Sequence, residues 1–396
     1  MSGSRRWIAP ALMVAAVFAL ALSACGDSDS DSSSAATSGE SSSGEGSSSG
    51  GSAALEAAEA QVEEAYAGRY TEPPSKSSPA AAGKDVWFIS PGQASANASV
   101  AYEGVEEAAR EIGWQLTLFD GKLDPSRPPE GIRQAVAAGA DGIIVFAIDC
   151  STAKSAYEVA KKAEVAVVSE AAFDCNETEP GAESLFSAPI SLGERYESFP
   201  AAYQAWGSDL AAWTIGETDG RANLINTTND QYALITELVT GYTDRITECP
   251  ECTVTEMPWV VEEVGAKLAA KVQAEILKNP EANALQNSNS PQLGMAQGIV
   301  QSGKAGEIMG VGGLGLPEDV ALLREEGKGL SVIGAWPIDW WSWAAIDTLN
   351  SIFNGEEPED SGLGWQLIDS EHNLPKGEQF VPDVDFKAPY LARWGK

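Results

Sequence analysis

At 396 residues the chain has room for two domains and accessory segments, and 43% hydrophobic residues supplies sizeable cores. A formal net charge of -33 excludes nucleic acid and anionic lipid as direct partners, because both would be repelled. The acidic surface is otherwise a statement about solubility.

At the amino end, Arg5 and Arg6 precede an apolar run from Trp7 to Ala24 that is interrupted by Pro10 and closes on Leu22-Ser23-Ala24-Cys25. A basic start, an apolar middle and small residues before a cut describe an export signal, and the run is also marginally long enough for a transmembrane anchor. The stretch "LSAC" resembles the lipobox of bacterial lipoproteins. That resemblance implies that residues 1–24 are a signal peptide, and that Cys25 is acylated and tethers the chain to the outer face of the cell membrane. Residues 25–52, including "GDSDSDSSSAATSGESSSGEGSSSGGS", cannot bury apolar surface and are expected to form a disordered leash.

Residues 53–82 read as a short accessory helix, "AALEAAEAQVEEAY", stopped by "TEPP" and followed by a linker. Strand and helix then alternate. "DVWFIS" (85–90) is a strand, and the next segment places Val105, Ala108, Ala109 and Ile112 on one helical face before Gly113. Strand 114–120, a helix from Pro128 to Ala138, the wholly apolar strand "GIIVFAID" (142–149), a helix opening near Ser151 and strand 165–170 follow. Four such units imply a parallel, doubly wound sheet. After a pause at 184–199 the pattern resumes, with strands at 222–228, 253–260, 283–288, 307–313 and 330–336 separated by helices. The reading is therefore α/β, two Rossmann-like lobes that bind ligand where strand ends face one another across a cleft.

With Cys25 acylated, Cys150, Cys175, Cys249 and Cys252 remain, an even number in an exported chain. Disulfides Cys150–Cys175 and Cys249–Cys252 are expected, the longer loop contributing about 3.5 kcal/mol in the chain-entropy model. "CPEC" lacks a second ligand pair, and the chain has a single histidine, His372, so no metal site is expected. A redox role would need a thioredoxin-like context, whereas this pair follows a helix and precedes a strand.

The segments "GKDVWFISPG", "GVEEAAREIGWQL" and "AGADGIIVFAIDCSTAKSAYEVAKKAEVAVVS" resemble the first lobe of type I periplasmic binding proteins of the ribose and galactose receptor kind, the substrate-capturing components of ABC importers. The "ECPEC" clip and "FDCN" are similar to those of lipid-anchored actinobacterial members. The resemblance implies three crossing segments, near 186–194, near 335–338 and after the helix ending at Asn354. Lobe 1 would span 83–188 and be completed by 337–364; lobe 2 would span 189–336 and be completed by 365–396.

Strand ends then supply the candidate ligand contacts. Lobe 1 offers Ser90, Gln93, Asp149 and Glu170, and lobe 2 Asn226, Asn229, Asn287 and Asn289, for amides and carboxylates supply the paired donors and acceptors that a hydroxylated ligand needs, while Phe173 and Trp259, with Trp336, would hold an amphipathic or aromatic molecule. Within "AWPIDWWSW", Trp336 falls at the mouth of the cleft as a ligand platform, while Trp340 and Trp343, at i, i+3, read as core. The family's sugar-gripping charges are missing at Ala171, near Thr236 and near Gly312, so an aromatic or amphipathic solute fits as well as a sugar. No enzyme motif accompanies His372 and no cofactor is implied. The expected partners are a small molecule and an ABC permease, with no nucleic acid, and the protein is expected to be a monomer. A ligand-sensing lipoprotein that signals through a membrane receptor is the alternative.

Overall fold

A computed structural model describes residues 47–288 and 291–396; the expected signal peptide, Cys25 and Asn289 lie outside the described residues. Helix α1 (Ser47–Ala67) starts inside the stretch expected to be a leash. The first lobe then runs β1 (Asp85–Ser90), α2 (Ala96–Ile112), β2 (Gln115–Asp120), α3 (Pro128–Ala138), β3 (Gly142–Phe146), α4 (Cys150–Lys162), β4 (Ala166–Glu170) and a single turn, α5 (Cys175–Thr178). Local chemistry sets these limits. Helices α2 and α3 end at Gly113 and Gly139, both left-handed, and Pro128 opens α3 where its missing N–H is harmless. Every residue of β3 and β4 is buried, as a strand covered on both faces requires. Strand β3 ends three residues before the expected limit because Ala147 turns into left-handed backbone.

The second lobe comprises α6 (Phe199–Glu217), β5 (Asn223–Thr228), α7 (Ala233–Thr247), β6 (Thr253–Pro258), α8 (Ala266–Lys278), β7 (Ala284–Gln286), α9 (Met295–Gln301), β8 (Met309–Val311), α10 (Pro317–Arg324) and β9 (Val332–Ala335). Strand order is β2-β1-β3-β4 in one sheet and β10-β9-β8-β7-β5-β6 in the other. All pairs are parallel except β9 with β10 (Gln366–Asp369). Each sheet reverses its winding direction beside its first strand, between β1 and β3 and between β5 and β7. Open sheets of this kind hold ligands at those points, outside the carboxyl strand ends.

The carboxyl-terminal stretch divides instead of completing the second lobe. After β9 the chain enters α11 (Ile338–Phe353), which packs on α2 and β4; β10 then joins the second sheet. Finally α12 (Lys387–Trp394) returns to the first lobe. Burial explains the return. Trp394 stacks on Trp343, 5.4 Å between centroids, and Arg393, 1% exposed, donates to Asp347 at 2.9 Å.

The segment after α1 lies across the crossings between lobes. α1 packs on α6 and β10, where Arg69 grips both oxygens of buried Asp209 at 2.9 Å. The Arg69 and Thr71 amides donate to Trp365 and Gly362, and those of Ser78 and Ala80 to Arg393 and Trp394. Gly364 permits the approach: a Cβ there would lie 2.3 Å from the Arg69 carbonyl oxygen. What the sequence offered as an accessory helix and linker is thus a strap bound to both lobes.

Candidate interlobe binding site

On the first lobe, Ser90, Gln93 and Asp120 close their own loops. The Ser90 hydroxyl accepts from the Gly92 amide and from Gln93 Nε2 at 2.9 Å, and Gln93 Nε2 also donates to the Ala98 carbonyl. Asp120 accepts from the Gln93 and Lys122 amides, which hold its carboxyl below the usual range. Glu170 is fully buried at the end of β4. One oxygen accepts from the Ser342 hydroxyl at 3.1 Å, the other finds no partner among the described residues, and burial pushes the carboxyl well above the usual range.

Asp149 follows β3 at the N-cap position of α4, yet makes no cap bond there. Its Oδ1 accepts from the Phe173 amide at 3.0 Å and its Oδ2 from the Ala233 amide, in the other lobe, at 3.2 Å. Both oxygens are thereby occupied. Burial raises its carboxyl, and these two hydrogen bonds oppose the rise. The Cys150–Cys175 disulfide joins the same two loops, and the Cys150 amide donates to the Phe173 carbonyl. The second disulfide, Cys249–Cys252, closes the turn between α7 and β6.

The second lobe differs. Asn226 donates to Thr243 at 2.9 Å but leaves Oδ1 without a partner. Asn229 accepts from the Gln231 amide at 2.8 Å, and among the described residues its Nδ2 and both polar atoms of the Asn287 side chain find no partner. All three residues are buried, where an unpartnered amide is costly and calls for a reason. Asn229 and Asn287 follow β5 and β7, on either side of the reversal point. Ser288 holds left-handed backbone, as do Ala147 and Ala171 after β3 and β4, so strain collects where the two lobes' strand ends lie. Gly312 is required beside Ser288, because a Cβ there would lie 2.2 Å from the Ser288 carbonyl oxygen. On α10, Asp319 accepts from the amides of Leu314, Gly315 and Leu316 and so fixes the loop after β8; burial pushes its carboxyl up to about 7.

The tryptophans divide between these regions. Trp340 stacks on Phe386 at 5.3 Å and Trp343 on Trp394, both inside the first-lobe core. Trp336 lies at the end of β9, near-parallel to Tyr203 at 5.9 Å and to Trp341 at 5.2 Å, with Trp206 and Trp365 against it. Phe173 meets Tyr203 edge-on at 5.5 Å. Only 2% of Trp336 is exposed, so its ring is part of the core and not the open platform expected from the sequence, and its indole N–H has no partner among the described residues. The Trp259 ring is likewise buried with its N–H unpartnered, its backbone amide donating to Thr228. Sequence reading missed Tyr203, Asp319 and the Ala233 amide. Tyr203 sits in an almost uniformly apolar helix, Asp319 reads as an ordinary first-turn acid, and a backbone N–H carries no sequence signal.

Two doubly wound lobes, crossing chain segments and polar groups at facing strand ends define a two-lobed binding protein of the type I kind, which holds a solute and does not transform it. The chain belongs to the family described as periplasmic binding protein domain, which it matches over residues 83–357, more than half its length. Solved structures share the fold. One is an ABC transporter solute-binding protein from Agrobacterium vitis with bound allitol (17% identity, TM-score 0.62, 73% of this chain and 96% of that one). Another is the 5-methylthioribose transporter solute-binding protein from Thermotoga lettingae with 5-methylthioribose (15%, 0.60, 79% and 94%). A third is an ABC transporter solute-binding protein from Mycobacterium smegmatis with bound glycerol (17%, 0.61, 76% and 100%). Likeness at these identities is one of fold. No curated protein sequence matches the chain.

Proposed function

We propose that this protein is an extracytoplasmic lipoprotein, anchored through Cys25, that captures a small neutral solute between its lobes and delivers it as a monomer to the permease of an ABC importer. The observation that carries this reading is the set of buried amide atoms without partners on Asn226, Asn229 and Asn287. Together they offer donors and acceptors, and hydroxyl groups match both roles at once. The strand-end segments of the second lobe carrying these amides contain no Lys or Arg, which disfavours an anion. Allitol, 5-methylthioribose and glycerol bound to proteins with the same fold agree with a hydroxylated ligand.

Calorimetry and thermal shift against sugars, polyols, aromatic acids and amines test the solute. Binding of a hydroxylated compound, weakened in Asn287→Ala, is expected; binding restricted to organic anions would overturn the reading. Metabolic labelling with a fatty acid, lost in Cys25→Ala, tests the anchor.

A further inference from the structure

We propose that Asp149 is a latch between the lobes: a carboxylate of the first lobe that caps helix α7 of the second and thereby holds the cleft closed. Three observations carry this. Asp149 stands where it would cap its own helix α4, yet its side chain makes no bond there. Its Oδ2 takes the amide of Ala233, the first residue of α7, at 3.2 Å. The N-cap residue of α7, Tyr232, makes no side-chain cap bond, so the open amino end of that helix gains a side-chain partner from the opposite lobe. A carboxylate is also the charge that a helix amino end favours.

The latch is braced from behind. Oδ1 holds the Phe173 amide, the Cys150 amide holds the Phe173 carbonyl, and the disulfide from Cys150 to Cys175 fixes the two loops together. Asp149 therefore meets α7 from a rigid mount. It follows that this carboxylate positions the lobes and does not contact solute, and that the amino end of α7 is closed to an anionic ligand.

Two variants separate the latch from general damage. Ala233→Pro removes the donor without breaking the helix, since proline is accepted at its first position and Tyr232, at φ -126° and ψ 118°, already has the backbone that precedes proline; the proline Cδ also takes the place of the N–H facing Asp149, so Asp149→Ala is the decisive variant. Asp149→Ala removes the acceptor. In full-length protein without solute, small-angle scattering is expected to show a larger radius of gyration for either variant. The double variant should open no further than Asp149→Ala, since both changes remove the Asp149–Ala233 contact and Asp149→Ala also removes the Phe173 bond. In Asp149→Ala, the Ala233 amide is expected to lose protection from hydrogen exchange. Unchanged radii and unchanged exchange in the folded variants would overturn the latch.

The latch rests on the reading that the lobes close on a solute, and a second arm separates the two. Where a solute binds, each variant is expected to weaken it roughly tenfold, mainly through faster release. Wild-type protein that binds no solute while the variants open as expected would sink the solute reading and leave the latch standing. Equal affinity with unchanged closure would do the reverse.

Discussion

The strand ends of the two lobes differ in the state of most of their polar groups, Glu170 of the first lobe, buried with one oxygen unpartnered among the described residues, being the exception. In the first lobe, Ser90, Gln93, Asp120 and Asp149 are tied to backbone or to one another, and a disulfide locks two of the loops. In the second lobe, Asn226, Asn229 and Asn287 are buried with amide atoms unanswered. A folded chain tolerates such atoms where something else is to meet them. On the function proposed above, the first lobe would serve as a stiff wall and the second would be the side that reads the solute.

Removing a structural charge from the first lobe should produce the largest effect. Arg393→Ala strands Asp347 in the core, a loss on the order of 3–5 kcal/mol in urea denaturation. Solute affinity of the folded protein should hold, because Arg393 lies with α11 and α12, away from the strand ends; a parallel collapse of affinity would mean that the wall and the reader are not separate. Acidity probes the second lobe. The Asp319 carboxyl is raised to about 7, so the folded state binds its proton more tightly than the unfolded chain. Its contribution is complete below the unfolded value near 3.8 and is lost as pH rises towards 7. Asp319→Asn should flatten that part of the stability profile, and an unaltered slope would show that Asp319 does not cause it.

Asn287→Ala sharpens the contrast at the site itself. It should weaken solute binding about tenfold, near 1.4 kcal/mol, while leaving the melting temperature of the free protein unchanged or higher, since a buried amide without partners is removed. The smallest effect belongs to Ser90→Ala, which should lower stability by about 1 kcal/mol through loss of the Gly92 and Gln93 bonds and reduce affinity less than Asn287→Ala does. Calorimetry in both states reads the pair; equal losses of affinity would erase the distinction between the lobes.

Much of the architecture was legible because it is local and periodic. The wholly apolar "GIIVF" announces a strand buried on both faces, and Gly113 and Gly139 mark helix ends by their left-handed backbone. Strand limits were overextended at β3 and β7, where left-handed backbone at Ala147 and Ser288 ends the ladder without a glycine to signal it. The strap around Arg69 and the return of α12 to the first lobe were hidden, since both depend on partners 140 residues or more away, as with Arg69 and Asp209, or on a surface elsewhere, as with Trp394 on Trp343.

The sequence by itself determined the alternation of strand and helix, the family, and the residue types at the strand ends, because periodicity, turn chemistry and amide composition are written residue by residue. Only the tertiary structure decided their roles. Asp149 reads as a cap for the helix that follows it, and becomes a cap for a helix in the other lobe because folding brings the Ala233 amide to its second oxygen. Trp336 reads as a platform, and is covered by four aromatic rings because the crossings gather α6, β9, α11 and Trp365 at one place.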